Sequence, residues 1–337
     1  MLAVSAFGRY PTTRLRRTRH TDWSRKLVRE TSLSVTDLIW PIILKDGTGV
    51  REPVASLPGV HRLSVDEAVI VAKEAAALGI PALALFPYTD ANQRAADARL
   101  ATDPENLMCR AARAIKAEVP EIGLMADVAL DPYTDHGHDG IIIDDEIHND
   151  RTIEVLVEQA VIEAAAGFDI VAPSDMMDGR IGAIRHGLEA AGFHNTQIMS
   201  YAAKYASALY GPYRDAIGSK GVLKGDKRTY QMDPGNSDEA LREIAFDLEE
   251  GADSVMVKPA GFYLDIIRRA KDAFAAPTFA FQVSGEYAMI VAAGAQGWID
   301  EDAAMFESIA VIKRAGADGI ITYFAPEIAR RLSKPTG

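Results

Sequence analysis

Short runs of uninterrupted apolar residues recur along the chain, separated by longer stretches in which apolar positions return every three or four residues. The runs at 38–44, 82–86, 123–130, 170–173, 197–202, 254–257, 278–283 and 319–323 have no polar face, as expected of strands buried on both sides in a parallel sheet. The stretches between them read as amphipathic helices. Ser64 with Glu67 predicts a capping box that opens a helix ending at Gly79. Asp103 before Pro104 predicts an N-cap and first turn of a helix reaching 115. Further helices are predicted at 152–166, 181–191, 237–250 and 263–274, then a helical region ending near 314 and a short closing helix. One junction repeats: Gly167-Phe-Asp169, Gly251-Ala-Asp253 and Gly316-Ala-Asp318 each stand between a helix and a strand, with glycine as the left-handed cap.

Eight strands alternating with helices predict an α/β fold of the closed (β/α)8 type, a TIM barrel, over residues 36–337, with an extended N-terminal arm over 1–35. The competing open, doubly wound sheet has no Gly-x-Gly-x-x-Gly after the first strand to support it. Residues 204–235 break the alternation. A segment of that length, rich in Gly, Lys, Arg and Tyr, is expected to act as a lid.

Composition changes this picture in three places. A formal net charge of -12 argues against nucleic acid as a main partner. No apolar run is long enough to span a bilayer, so no membrane partner is expected. The single cysteine, Cys109, excludes an intramolecular disulfide or a cysteine metal cluster and points to a cytoplasmic address. The arm is basic where the body is acidic: Arg14, Arg16, Arg17, Arg19, Arg25, Lys26 and Arg29 stand against Asp22 and Glu30. Docking of this arm on a neighbouring subunit is the expectation.

In such a barrel the chemistry lies where the strands end at their C-termini. Those ends carry Asp127, Ser174 and Asp175, Lys204, Lys258, Ser284 and Tyr323 in succession. Lys204 and Lys258 end consecutive strands, which pack roughly 4.8 Å apart. At an effective dielectric of about 20, two ammonium groups about 5 Å apart repel by roughly 3 kcal/mol. That lowers one amine's pKa by about 2, and burial pushes the same way. A neutral amine attacks ketones, so the pair reads as Schiff-base chemistry. The alternative is one anion clamp and one structural lysine.

Cations follow Lys204 in the lid: Arg214, Lys220, Lys224, Lys227 and Arg228, with Tyr230 and Gln231 after them. They suggest a small anionic substrate held by Arg or Lys, while Lys220, Lys224 and Arg228 read as a solvated loop. Ser284 and Tyr323 offer hydroxyls to a second carboxylate. The segment from Asp127 to Gly140 is the densest polar stretch, and its Asp131, Asp135, His136, His138 and Asp139 read either as a metal site or as an ordinary loop.

Val257-Lys-Pro259, Ser200-Tyr-Ala-Ala-Lys-Tyr205 with Tyr210-Gly-Pro-Tyr-Arg-Asp215, Ala172-Pro-Ser-Asp-Met-Met-Asp-Gly-Arg180, Tyr230-Gln-Met232 and Val283-Ser-Gly-Glu-Tyr287 occur in the order found in the porphobilinogen synthase (5-aminolaevulinate dehydratase) family. The chain resembles that family over nearly its whole length. The resemblance implies condensation of two 5-aminolaevulinate molecules to porphobilinogen, a step of tetrapyrrole synthesis, with Schiff bases on both lysines. By position, Lys258 would hold the propionate-side substrate with Ser284 and Tyr323 on its carboxylate. Lys204 would hold the acetate-side substrate with Arg214 and Lys227 on its carboxylate and Gln231 nearby. Asp127 and Ser174 would line the site and assist proton transfer or amine positioning.

Zinc-dependent members carry three cysteines where this chain has Ala129, Asp131 and Asp139. The resemblance therefore implies no catalytic zinc and no organic cofactor. Magnesium at the allosteric position of Glu243, or a monovalent cation, is the remaining expectation. It further implies an octamer or hexamer held by the arm. A class I Schiff-base aldolase and a non-catalytic barrel scaffold are the competing functions.

Overall fold

The repeated helix–glycine–strand junction does more than turn the chain. In the computed structural model, which describes residues 8–333 apart from 220 and 224, Gly167 adopts φ 106°, Gly251 φ 106° and Gly316 φ 120°, a region that favours glycine. The aspartate two residues on then receives the amide of the preceding strand. Asp169 accepts from Leu124 N–H at 2.8 Å, Asp253 from Ile198 N–H at 2.7 Å, and Asp318 from Thr278 N–H at 2.8 Å. Each aspartate satisfies a strand-start donor and ties one βα unit to the next.

The strands are β1 (Leu38–Leu44), β2 (Ala82–Pro87), β3 (Gly123–Val128), β4 (Ile170–Pro173), β5 (Gln197–Lys204), β6 (Ser254–Lys258), β7 (Thr278–Gln282) and β8 (Gly319–Thr322). Each pairs in parallel with the next, and β8 returns to β1 through Leu38↔Ile320 and Ile39↔Ile321. The closed eight-stranded barrel is the predicted fold. A small antiparallel pair, Arg51–Pro53 with His61–Leu63, extends the sheet at the end of β1.

The helices are α1 (Val65–Leu78), α2 (Leu107–Glu118), α3 (Asn149–Ala166), α4 (Arg180–Ala190), α5 (Gly211–Ala216), α6 (Asp238–Glu249), α7 (Leu264–Phe274), α8 (Ser284–Ala295), α9 (Glu301–Ala315) and α10 (Ala325–Leu332). Residues from α3 and α4, including Leu156, Ala160, Ile181, Ile184 and Leu188, meet Val128, Val171 and Ile198 of the strands in one apolar layer.

Several boundaries move. The α2 N-cap is Asn106, which accepts from Cys109 N–H at 2.9 Å. Asp103 instead closes a turn with Glu105 N–H, because its own side chain offers that local bond before the helix begins. The capping box at Ser64 does not form: Ser64 bonds Asp66 and Val50, and Glu67 pairs with Arg51. β5 reaches Lys204 and β6 reaches Lys258, so both lysines are strand residues. β7 stops at Gln282, one residue short of the predicted run, and Ser284 after it opens α8.

The chain divides into two units, residues 1–33 and 34–337. Within the described part of the first, a 3-10 turn at Leu15–Arg19 precedes a helix at Asp22–Leu27, and Leu15, Trp23 and Leu27 are exposed.

Candidate active site

Parallel register sets the two lysines side by side: Lys204 is the direct partner of Lys258 across β5 and β6, after a bulge between Val255 and Val257. Both are buried, with exposures of 6% and 5%. Lys258 Nζ stands among four aromatic rings, 4.5 Å from the Phe281 centroid, 5.0 Å from Tyr201, 5.2 Å from Tyr213 and 5.5 Å from Tyr210. Burial, and then the charge of Lys204, pull its pKa from 10.5 down to about 7, against the opposing pull of Asp127, Asp131 and Asp139. Roughly half of this amine is therefore neutral at pH 7, whereas an ordinary lysine would be neutral in roughly one molecule in 3,000. Lys204 donates to the Ser174 carbonyl and lies 4.0 Å from Asp139 Oδ1.

Asp127 ends the inner part of β3 within reach of both lysines. Burial lifts its carboxyl from 3.8 to about 6, with Lys258 pulling it back. Tyr213 donates its hydroxyl to Asp127 Oδ2 at 3.3 Å. A carboxyl in that range can give and take protons near neutrality.

The segment 204–235 contributes to the same cavity. Its short helix α5 brings Tyr213 and Arg214 to the space that Lys204, Lys258, Asp127, Asp131 and Ser174 also line, and Lys227 and Gln231 reach it from the segment's second half. Ser284 and Tyr323 are not among the residues lining this cavity: Ser284 Oγ accepts from Tyr213 N–H at 2.9 Å and so touches it through a lining residue. Tyr323 is buried behind Phe281, with ring centroids 6.4 Å apart, and its hydroxyl has no hydrogen-bond partner. Lys220 and Lys224 lie outside the described residues, and Arg228 is exposed.

The polar stretch after β3 resolves into separate contacts. Asp131 and Asp139 each place Oδ2 3.0 Å from Lys227 Nζ. Lys204 and Lys227 hold the Asp139 carboxyl down at about 2 against its burial. His138 Nδ1 meets the Tyr230 hydroxyl at 3.0 Å, and Asp135 points to solvent. Among the described residues no three His, Cys, Asp or Glu side chains converge on a metal position. The metal alternative for this stretch is thus not supported, because its carboxylates turn toward an ammonium group. Ala129 offers no ligand, and a three-cysteine zinc site does not fit here.

Glu243 stands apart. It lies on α6 beside an open groove that also holds Glu239, Asp178 and Asp233, and burial raises its carboxyl, partly offset by Arg180.

Three groups escaped sequence reasoning. The rings of Tyr201, Tyr210, Tyr213 and Phe281 read as core, since nothing local distinguishes a ring facing a lysine from one facing a leucine. Glu286, raised to about 7 by burial, accepts from Val283, Ala260 and Gly261 amides and so fixes the chain just after Lys258. Arg180 is buried beneath the site, bonded to Asp247 and Ser200 and close to Asp175.

Because desolvation is the largest cause of the low Lys258 pKa, Tyr213→Ala should hydrate the amine and raise its pKa. The acid limb of the pH–rate profile is then expected to move to higher pH. Tyr213→Phe, which keeps the ring, should leave that limb near 7.

A closed parallel barrel with two buried lysines at adjacent strand ends, one of them with its pKa drawn down to about 7, defines a Schiff-base-forming barrel enzyme. Residues 12–331 match the family Delta-aminolevulinic acid dehydratase. A curated relative of that name from Bradyrhizobium diazoefficiens is 61% identical over 319 residues, covering 95% of this chain and 90% of its own. Another from Rhodobacter capsulatus is 52% identical, covering 95% and 97%. The crystal structure of the Toxoplasma gondii enzyme in complex with the reaction product porphobilinogen superposes with a TM-score of 0.92 at 43% identity, covering 95% of this chain and 91% of that one. The chain belongs to the Delta-aminolevulinic acid dehydratase family.

Proposed function

We propose that this protein condenses two molecules of 5-aminolaevulinate to porphobilinogen with loss of two waters. The observation that carries the proposal is the register-paired Lys204 and Lys258 with a neutral amine at Lys258. Family membership supports the same reaction.

Lys258, the amine with the depressed pKa, attacks the ketone carbon of one substrate, and the carbinolamine expels water to give an imine. Lys204 does the same to the second substrate. Each amine is released when the bond to its ketone carbon is replaced by a ring bond. That bond is carbon–carbon for the substrate on Lys258 and carbon–nitrogen for the substrate on Lys204. Asp127, near 6, is positioned to shuttle the protons that carbinolamine dehydration and enamine formation require.

The roles of the remaining residues follow from charge. Arg214 and Lys227, with Gln231, suit the carboxylate of the substrate on Lys204. Ser284 and the unpartnered Tyr323 hydroxyl suit the carboxylate of the substrate on Lys258, once the Ser284 hydroxyl turns its proton from the Leu209 carbonyl, 3.4 Å away, to the substrate. Ser174 lines the cavity between the two lysines. Magnesium at Glu243 would draw most of its shell from water, since one carboxylate leads and among the described residues no trio converges. The arm's exposed Leu15, Trp23 and Leu27, flanked by arginines, suit docking on a second copy in an octamer or hexamer. No described helix is long and apolar enough to cross a membrane, and a single buried cysteine suits a reducing cytoplasm.

Purified protein given 5-aminolaevulinate is expected to form a pyrrole detectable by colour reaction, with activity surviving a chelator in the absence of zinc. Borohydride with 5-aminolaevulinate should modify both Lys204 and Lys258. Modification of a single lysine by sugar phosphates, without pyrrole, would instead mark an aldolase. Loss of all activity on chelation, restored only by zinc, would overturn the zinc-free site.

A further inference from the structure

Asp131, Asp139 and Lys227 are each nine-tenths or more buried, and one Nζ lies 3.0 Å from a carboxylate oxygen of both aspartates. We propose that Lys227 is the resident cation of this carboxylate pair, its ammonium group standing where zinc-dependent members of the family would hold a metal ion. Two buried carboxylates facing each other cannot both stay ionised without a cation between them. Lys227 is that cation, and Lys204, 4.0 Å from Asp139, is a second and more distant one.

The donor set argues the same way. Ala129 cannot ligate, and among the described residues no three ligating side chains converge. A metal would find two oxygens already spanned by a lysine, whose compact charge and three donors suit a pair of carboxylates. A substrate carboxylate arriving at Lys227 must therefore share this ammonium with Asp131 and Asp139 or draw it away from them. The proposal concerns the same cavity as the proposed reaction, but its test reads the protein without substrate, so either can fail alone.

The test compares Lys227→Met, the double variant Asp131→Asn/Asp139→Asn and the triple variant combining all three changes. Lys227→Met is expected to lower the thermal midpoint by several degrees, because it leaves two buried carboxylates facing each other with only the more distant Lys204 to offset them. Neutralising the aspartates in that background should restore most of the loss. Methylammonium chloride should raise the midpoint of Lys227→Met, relative to sodium chloride at equal ionic strength, and leave wild type unchanged. The number of Mn2+ ions bound per chain should be the same in wild type and in the double variant. A Lys227→Met protein that melts with wild type, a triple variant less stable than Lys227→Met, or a Mn2+ equivalent lost in the double variant would each overturn the proposal. Should Lys227→Met fail to fold, a folded triple variant supports the proposal and an unfolded one overturns it.

Discussion

Lys258→Met is expected to reduce turnover by roughly 10,000-fold or more, since removal of a covalent nucleophile leaves only binding and orientation to catalysis. The fold should survive, because methionine is apolar and of similar length, and the site that receives it is walled by Tyr201, Tyr210, Tyr213 and Phe281. A circular dichroism melt would separate loss of chemistry from loss of structure, and borohydride labelling should then find Lys204 alone. In wild type the same amine sets the pH dependence. With its pKa at about 7, protonation below pH 7 removes the nucleophile, so kcat/KM should rise with pH through about 7 and level off above it. A profile still climbing toward pH 10 would mean that Lys258 is an ordinary lysine. Retention of full turnover by Lys258→Met would return the scaffold hypothesis.

Arg180→Leu is expected to cause the largest loss of stability, about 3–5 kcal/mol, as found when one partner is removed from a buried ion pair. Arg180 is only 2% exposed. Its guanidinium bonds both Asp247 oxygens at 3.1 and 3.3 Å, approaches Asp175 at 3.5 Å and reaches Ser200 Oγ at 3.2 Å. Leucine would leave two buried carboxylates unpaired. Burial already holds Asp175 at about 6 despite the arginine, and without it the carboxyl would rise further. Its folded pKa then exceeds the unfolded value of 3.8, so the destabilisation should shrink as the pH falls from 7.5 toward 5 and Asp175 takes up a proton. Urea unfolding at the two pH values measures this directly. Equal losses at both would locate the cost in packing. Arg180→Lys should recover only part of the stability, since one ammonium on a shorter fork-less stem cannot reproduce the guanidinium's bonds to both Asp247 oxygens and to Ser200 together with its approach to Asp175. Turnover should fall as well: Asp175 follows Ser174, whose carbonyl accepts from Lys204, and Tyr201 lies on the same strand as Lys204.

Much of this architecture was legible in the chain. Runs such as 254–257 are apolar on both faces, and only a sheet covered on both sides leaves no face for water. The glycines at 167, 251 and 316 mark helix ends because few other residues accept their φ. The two lysines could be placed at strand ends because the strand period and the barrel rule together fix where a strand's last side chain points. Less legible were the local contests. Asp103 and Ser64 each had a competing hydrogen bond within two or three residues, and periodicity cannot rank such bonds. The partners of Asp169, Asp253 and Asp318 were hidden for another reason: each lies on a neighbouring βα unit some 40 residues or more away.

The alternation of strand and helix, the family and the place of two lysines at adjacent strand ends could be read from the chain alone, because period, turn chemistry and motif order are local properties. The tertiary structure decided what those residues experience. The aromatic rings around Lys258, the Tyr213 hydroxyl on Asp127 and the seating of Lys227 between Asp131 and Asp139 bring together side chains from distant segments. Desolvation and charge depend on that assembly in space, and they bring the pKa of a strand-end lysine from 10.5 down to about 7.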